Sequence, residues 1–167
     1  MIQQHRLHIP QAAELLGRAG VYLLEHASYS LAEPLFQRGL VIAEQHLVPQ
    51  HLQVVAFLLH GLGLLSLNKG HYEQAEPLLL RALHIREQTL SPEHPLLADP
   101  LSGLGLLHLE QGHHEQAEPL LLRALHLREQ ALGSEHILVA DLLHALAELY
   151  RVQGKSREAE ALDRRAW

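Results

Sequence analysis

The sequence predicts an all-α fold: about eight antiparallel helices stacked as four helix pairs, a single α-solenoid array over residues 1–167. Three observations carry this. A stretch of eighteen residues recurs almost unchanged 42 positions later. Forty of the 167 residues are leucine, and β-branched residues are few, a balance that favours helices over sheets. Glycine-bearing turns fall at fixed places inside each repeat, where glycine closes a helix in the left-handed conformation.

The repeated stretch runs from His71 to Gln88 and again from His113 to Gln130, differing only at Tyr72/His114 and Ile85/Leu127. A looser copy surrounds Pro34, offset by 43, and a clipped copy covers Lys155–Leu162. Between these stretches lies a second pattern: Gly61-Leu62-Gly63-Leu64-Leu65, Gly103-Leu104-Gly105-Leu106-Leu107, Ala145-Leu146-Ala147-Glu148-Leu149, with an earlier relative at Arg18–Tyr22. Each repeat therefore holds two helical stretches. The first ends at Asn68-Lys69-Gly70, Glu110-Gln111-Gly112 or Val152-Gln153-Gly154; the second ends near Pro49, Pro92 or Gly133. Helices are expected at about 10–26, 28–46, 51–68, 71–89, 94–110, 113–131, 136–153 and 155–166. The units are about 10–46, 51–89, 94–131 and 136–167, the last one clipped. Short loops make neighbouring helices antiparallel, and a unit that cannot bury its own apolar face must stack on the next.

Small residues mark the expected close approaches. They are Gly63, Gly105 and Ala147 in the first helix of a unit, and Ala75/Ala117/Ala159 with Ala82/Ala124/Ala166 in the second. A larger side chain at such a crossing would overpack it. Leu62, Leu104 and Leu146 should fill the space beside them.

Composition excludes several functions. Apolar residues make up 47% and aromatic residues 4%, enough for a core and too apolar for disorder. The formal charge is −6, with no basic patch interleaved with aromatics, so nucleic acid is not an expected partner. Without cysteine there is no disulfide, thiolate nucleophile or thiolate zinc site. No apolar run reaches the roughly 18 residues of a membrane span, and Met1–Arg6 lacks the apolar stretch of a secretory leader; a cytoplasmic protein without a membrane partner is expected. Fifteen histidines would carry the charge from −6 to +9 on full protonation, crossing zero around pH 6.

The small residue of the first helix with leucine before it, Tyr150 three positions after Ala147, and the paired alanines of the second helix resemble the tetratricopeptide repeat (TPR). The longer period, the A-E-P-L-x-x-R-A-L run and Ser91-Pro92-Glu93-His94-Pro95 resemble the repeats of kinesin light chains. They resemble most closely the C-terminal TPR region of bacterial NB-ARC/STAND-type regulatory ATPases, and Ile9–Leu24 looks like the junction repeat of those proteins. The resemblance covers about residues 10–167 and implies a right-handed solenoid. Departures are Leu23, Ser66 and His108 at the usual Tyr, and Gly39 at a usual Ala.

Two local rules are broken. Pro34, Pro77 and Pro119 lie inside their helices, where a proline removes a hydrogen bond; a bend or a late helix start is expected, with the ring on the outer face. Pro100 follows Asp99, a good N-cap, so the helix at 94–110 is expected to break or kink at 99–100.

The chemical motifs have ordinary explanations. Gly154-Lys155-Ser156 resembles a phosphate loop, but Leu149 stands where that loop needs glycine, and the setting is an inter-helix turn. His114-Glu115 begins an H-E-x-x-H pattern that Glu118 interrupts. His113 with His114, or His5 with His8, could hold a stray metal ion, but no three ligands converge. His94 and His136 recur in one loop and are expected to stabilise that turn; His84 and His126 are expected to be solvated or edge-packed. No Ser–His–Asp arrangement is recognisable, and Glu73, Glu76, Glu115 and Glu118 suit helix N-termini. No catalytic residue, cofactor or metal is expected.

The resemblance implies a ligand groove lined by the first helix of each pair. Carried onto this chain, its positions give Val21 and Leu24 in the first unit and His60, Leu64, Leu67 and Asn68 in the second. They give Ser102, Leu106, Leu109 and Glu110 in the third, and His144, Glu148 and Arg151 in the fourth. The stripe is mostly apolar with histidine at its rim. The Lys/Asn clamp for a C-terminal carboxylate is absent, and Arg151 alone supplies a cation. The expected function is a non-catalytic protein–protein interaction module, a scaffold or sensor that binds an apolar or amphipathic peptide or protein segment. The alternative is a self-association element whose groove holds another copy or the end at Trp167.

Overall fold

A computed structural model describes residues 9–45 and 51–166. Eight α-helices lie among them: α1 (Ile9–Glu25), α2 (Tyr29–Gln45), α3 (Leu52–Asn68), α4 (Tyr72–Thr89), α5 (Ala98–Glu110), α6 (His114–Leu132), α7 (Ile137–Val152) and α8 (Ser156–Ala166). A 3₁₀ turn, Pro95–Leu97, precedes α5. No strand occurs among the described residues. The histidines at 5 and 8, the helix stop near Pro49 and the apolar end at Trp167 lie outside the described residues.

The chain divides into two compact units, residues 1–89 and 90–167. In the first, α1 packs on α2 and α3 on α4, while α3 also touches both helices of the pair before it. Phe36 of α2 is fully buried at its centre. Its ring fills the space left by two glycines: a Cβ on Gly20 would stand 2.8 Å from the ring, and a Cβ on Gly61 would overlap it. Gly39, where the repeat usually has alanine, has a reason of the same kind. A Cβ there would stand 2.9 Å from Leu58 Cδ2 and 3.1 Å from the Ala13 carbonyl oxygen. In the second unit α5 packs on α6, α7 on α8, and α6 on α7, around buried Leu104, Leu121, Leu127, Leu143 and Leu146. Each such leucine contributes about 1.5–3 kcal/mol on leaving water.

The helix ends follow the glycines. At Gly70 (φ 72°) the chain turns left-handed, Gly70 N–H donates to Leu67 C=O at 2.9 Å and His71 N–H to Ser66 C=O at 2.9 Å. These two bonds satisfy carbonyls that a helix end leaves open. Both bonds recur at Gly112 and Gly154.

The late helix start expected at the inner prolines does not occur, and the break expected at Pro100 is displaced. Pro34, Pro77 and Pro119 are on exposed faces as expected, but α2, α4 and α6 start five residues before them and run on without interruption. The bond each ring removes would join the carbonyl of Ser30, Glu73 or Glu115, all exposed, where water can take the donor's place. The break around Pro100 falls two residues earlier than expected. The 3₁₀ turn ends at Leu97, α5 begins at Ala98, and Pro100 occupies the first helical turn, where no N–H is needed. Asp99 is then inside the helix, 3.5 Å from Arg128, rather than capping it.

Candidate peptide-binding site

The first helices of the repeats carry the expected groove positions. In the first unit Val21 and Leu24 on α1, and His60, Leu64 and Leu67 on α3, are half-buried, and Asn68 is exposed. In the second unit Leu106 and Leu109 are half-buried, while Glu110, His144, Glu148 and Arg151 are exposed. Ser102 is buried and its hydroxyl donates to the Ala98 carbonyl of its own helix.

The first unit has a cavity of about 510 Å³ between α1 and α3, lined by Glu14, Arg18, Val21, Gln53, Val54 and Phe57. Val21, Val54 and Phe57 make its apolar wall. Glu14 and Arg18 pair at 2.6 Å on its rim, one turn apart on α1. Phe57 reaches this position because residue 17 is glycine: a Cβ there would stand 2.5 Å from Phe57 Cε1. Of the groove positions expected from sequence, Val21 is the one that lines this cavity. Phe57, Val54 and Gln53 lie about one to two helical turns N-terminal to His60, the first of those positions on α3. A lone phenylalanine three residues before His60, in a chain with two phenylalanines, is the signal that could have pointed to it.

At α7 the polar end of the stripe is internally engaged. Arg151 forms an ion pair with Asp163 of α8, and His144 Nδ1 stands 3.7 Å from the same carboxylate. The one groove cation expected from sequence thus already has its anion within the chain.

A second cavity, about 530 Å³, opens at the α6 start and is lined by Gly112–Gln116 with Gln153. His114 Nδ1 and Gln153 Oε1 are shielded from water without a hydrogen-bond partner. Among the described residues no three His, Asp or Glu side chains are grouped to hold a metal ion. His94 and His136 hold their turns: each Nδ1 accepts the N–H two residues on, Leu96 and Leu138, at 3.2 Å. His84 and His126 are exposed, His126 being 3.6 Å from Glu93. Around the Gly-Lys-Ser triplet, Gly154 closes α7 (φ 77°), and Lys155 Nζ sits 4.9 Å above the Tyr150 ring and 3.9 Å from Glu118. It is a helix–helix turn. No helix among the described residues is long and apolar enough to cross a membrane.

The tetratricopeptide repeat pattern matches residues 54–130 and 114–166, more than half of the sequence. The chain belongs to the tetratricopeptide repeat family. Members are generally protein–protein interaction modules and non-catalytic scaffolds. Many solved structures share the fold, three of them as follows. The nearly identical TPR-like repeats of a kinesin-light-chain-like protein from Podosopora anserina superpose with a TM-score of 0.79 at 22% identity, over 96% of this chain and 75% of that one. BtubC (BKLC) from P. vanneervenii gives 0.77 at 20% identity over 95% of this chain. The apo form of RapI gives 0.76 at 16% identity over 96%. The chain spans 62% of BtubC and 43% of RapI. No curated protein matches it in sequence.

Proposed function

We propose that this chain binds a peptide or protein segment through the first helices of its repeats, with an apolar anchor side chain of the ligand seated between α1 and α3. The observation that carries this is the cavity walled by Val21, Val54 and Phe57. Its volume of about 510 Å³ suits one or two large side chains. An apolar pocket with a few polar groups at the rim is the common form of a recognition site. The Glu14–Arg18 pair on that rim can orient the ligand backbone or a flanking polar residue. With Arg151 committed to Asp163, an acidic peptide finds no open cation on α7, so an apolar or amphipathic segment is the better ligand. Leu64, Leu67, Leu106 and Leu109 extend the apolar surface within their own units.

On this reading the chain is a scaffold or sensor segment of a larger regulator of the STAND type. The likeness of Ile9–Leu24 to the junction repeat of such regulators supports that.

The test is selection of a random-peptide phage library on the full chain, followed by calorimetry of the enriched peptides. The expected result is an enriched aliphatic or aromatic anchor and micromolar binding, about −8 kcal/mol. A Val21→Glu, Val54→Glu double variant that folds normally should weaken it by roughly tenfold or more, one such factor being 1.4 kcal/mol. No enrichment, or peptides indifferent to the double variant, would overturn the proposal.

A further inference from the structure

Two departures from the repeat meet at the α1–α3 cavity. Phe57 of α3 stands at a register that holds Glu14 on α1, Asp99 on α5 and Asp141 on α7. Gly17 of α1 stands at a register that holds His60, Ser102 and His144 on the later first helices. In α5 and α7, the corresponding helices of the second unit, the same two positions are Ser102, whose hydroxyl donates to the Ala98 carbonyl of its own helix, and Asp141, which is exposed. A bare Cα and a ring are combined at these registers once, on α1 and α3.

The contact between them is tight. A Cβ on residue 17 would stand 2.5 Å from Phe57 Cε1, 3.1 Å from Phe57 Cδ1 and 2.9 Å from Leu58 Cδ2. Carbon atoms pack at about 3.5–4.0 Å, so a methyl there would drive the ring back by about 1 Å. Leu58 is fully buried. Phe57 is half-buried and borders the cavity, so the ring yields into that space. The other walls are stiff. Val21 and Val54 are β-branched residues on helices, each with one strongly preferred rotamer. Gln53 is tied to α4: its Nε2 donates to Thr89 Oγ1 at 2.6 Å, and that hydroxyl donates to Ile85 C=O at 2.6 Å. The position of one ring therefore sets the room left for a guest side chain.

We propose that Gly17 and Phe57 together determine the size of the anchor side chain that the α1–α3 site admits, favouring a large, ring-sized anchor over a small aliphatic one. Phe57 forms the wall, and Gly17 is the positioning residue that lets the wall stand back. This selectivity rests on the binding role proposed above. A large anchor fills more of the cavity of about 510 Å³ and buries more apolar surface against Val21, Val54 and the Phe57 ring. A small one leaves part of it empty and forgoes those contacts. With alanine at residue 17 the large anchor would overpack the site, whereas a smaller one would still fit.

The probes are the N-acetyl amides of valine, leucine, phenylalanine and 2-naphthylalanine, titrated into the full chain and followed by the methyl resonances of Val21 and Val54. Compounds of this size should reach a Kd of about 1 mM. In the parent chain the phenylalanine and naphthylalanine amides should bind about tenfold more tightly than the valine amide. Gly17→Ala should weaken the naphthylalanine amide about tenfold and reverse the order, leaving leucine ahead. Phe57→Leu in that background should return the larger anchors to the lead, because the side chain that the new methyl displaces is then smaller. Thermal melts show whether each variant is folded. Phe57→Leu alone, at a half-buried position, keeps the test open if Gly17→Ala does not fold, and should widen the preference for naphthylalanine over leucine. An order of anchors unchanged by Gly17→Ala, no recovery with Phe57→Leu, or no widening in Phe57→Leu alone would each overturn the proposal. If Val21→Glu/Val54→Glu still weakens the selected peptides in that case, the binding role stands and only its selectivity falls. Failure of every amide to move either methyl would overturn the pocket itself, and the binding role with it.

Discussion

Leu79 of α4 lies against the bare Cα of Gly63 on α3, so closely that a Cβ would stand 2.6 Å from its Cγ. Leu121 and Gly105 repeat the contact at 2.7 Å. Phe36 and Gly20 make it again with a larger side chain. The close approach of first and second helix thus depends on an absent methyl group. Gly63→Ala gains helix propensity of about 1 kcal/mol and pays for overpacking with about 1–3 kcal/mol. A net loss of about 1 kcal/mol is expected in denaturant unfolding. In the Leu79→Ala background the new methyl has room, so the alanine substitution should become neutral or stabilising there. Additive effects in that double-mutant cycle would show that the contact is not what Gly63 serves.

The last pair solves the same crossing differently. Ala147 replaces glycine and Asp163 replaces leucine at the facing register, and Asp163 is drawn into the Arg151 and His144 cluster. Ala147→Gly should therefore destabilise by about 1 kcal/mol through propensity, with the loss of its fully buried methyl adding to that, opposite in direction to the reverse change at Gly63 in the Leu79→Ala background.

Tyr150 donates its hydroxyl to Glu118 Oε1 at 2.9 Å, joining α7 to α6. Burial first, then this bond and the charges of Glu118 and Glu158, raise the phenol above its ordinary value near 10. A group held protonated by folding contributes stability below its unfolded pKa and loses it as pH rises through the folded one. Tyr150→Phe should cost about 1 kcal/mol at neutral pH for the lost bond and the carboxylate left behind. Above pH 10 the parent protein should lose stability more steeply than Tyr150→Phe. Parallel alkaline limbs in thermal melts of the two would show that the phenol does not titrate with folding.

The turn histidines were legible as structural from their recurrence, and each does supply a cap. The helix pairs were legible for a comparable reason: a near-exact repeat punctuated by glycine leaves few alternatives for where a helix ends. Pro100 was misread because a proline after a capping residue looks like a helix start, whereas Pro95 two residues after Glu93 had already set the break upstream. The candidate site was less legible. Val21 lay on the inherited groove positions, but Phe57 reaches the cavity through Gly17, a tertiary relation between two helices that spacing along either one does not contain. Likewise Ser102 looked available and is spent on its own helix, a local competition that sequence periodicity does not register.

Those caps make a direct prediction. His136 begins α7 in extended conformation (φ −77°, ψ 142°) and its ring accepts Leu138 N–H; His94 does the same before the 3₁₀ turn. His136→Ala should cost about 0.5–1 kcal/mol, and His136→Asn, which restores an acceptor at the cap, should recover most of it. Hydrogen exchange at Leu138 is the local readout. Unchanged protection there in the alanine variant would mean that the ring carries no capping energy.

Ala27 turns the chain from α1 to α2 with φ 54°, at the register where Gly70, Gly112 and Gly154 close the later first helices. The bonds match those of the glycine turns: Ala27 N–H to Leu24 C=O at 3.0 Å, and Ser28 N–H to Leu23 C=O at 2.8 Å. The geometry is therefore imposed on a residue whose Cβ disfavours it by about 1–2 kcal/mol. Ala27→Gly should relieve that strain, partly offset by the greater freedom glycine has in the unfolded chain. A net gain of about 0.5–1 kcal/mol is expected. The converse, Gly70→Ala, should lose about 1 kcal/mol, although the space around Gly70 is open and a Cβ there meets nothing within 4 Å. The pair separates backbone strain from packing, because Ala27 is exposed and a Cβ at Gly70 meets nothing. A melting temperature raised in Ala27→Gly and lowered in Gly70→Ala would attribute both shifts to the left-handed turn. A fall in both would mean that Ala27 is held by contacts outweighing its strain.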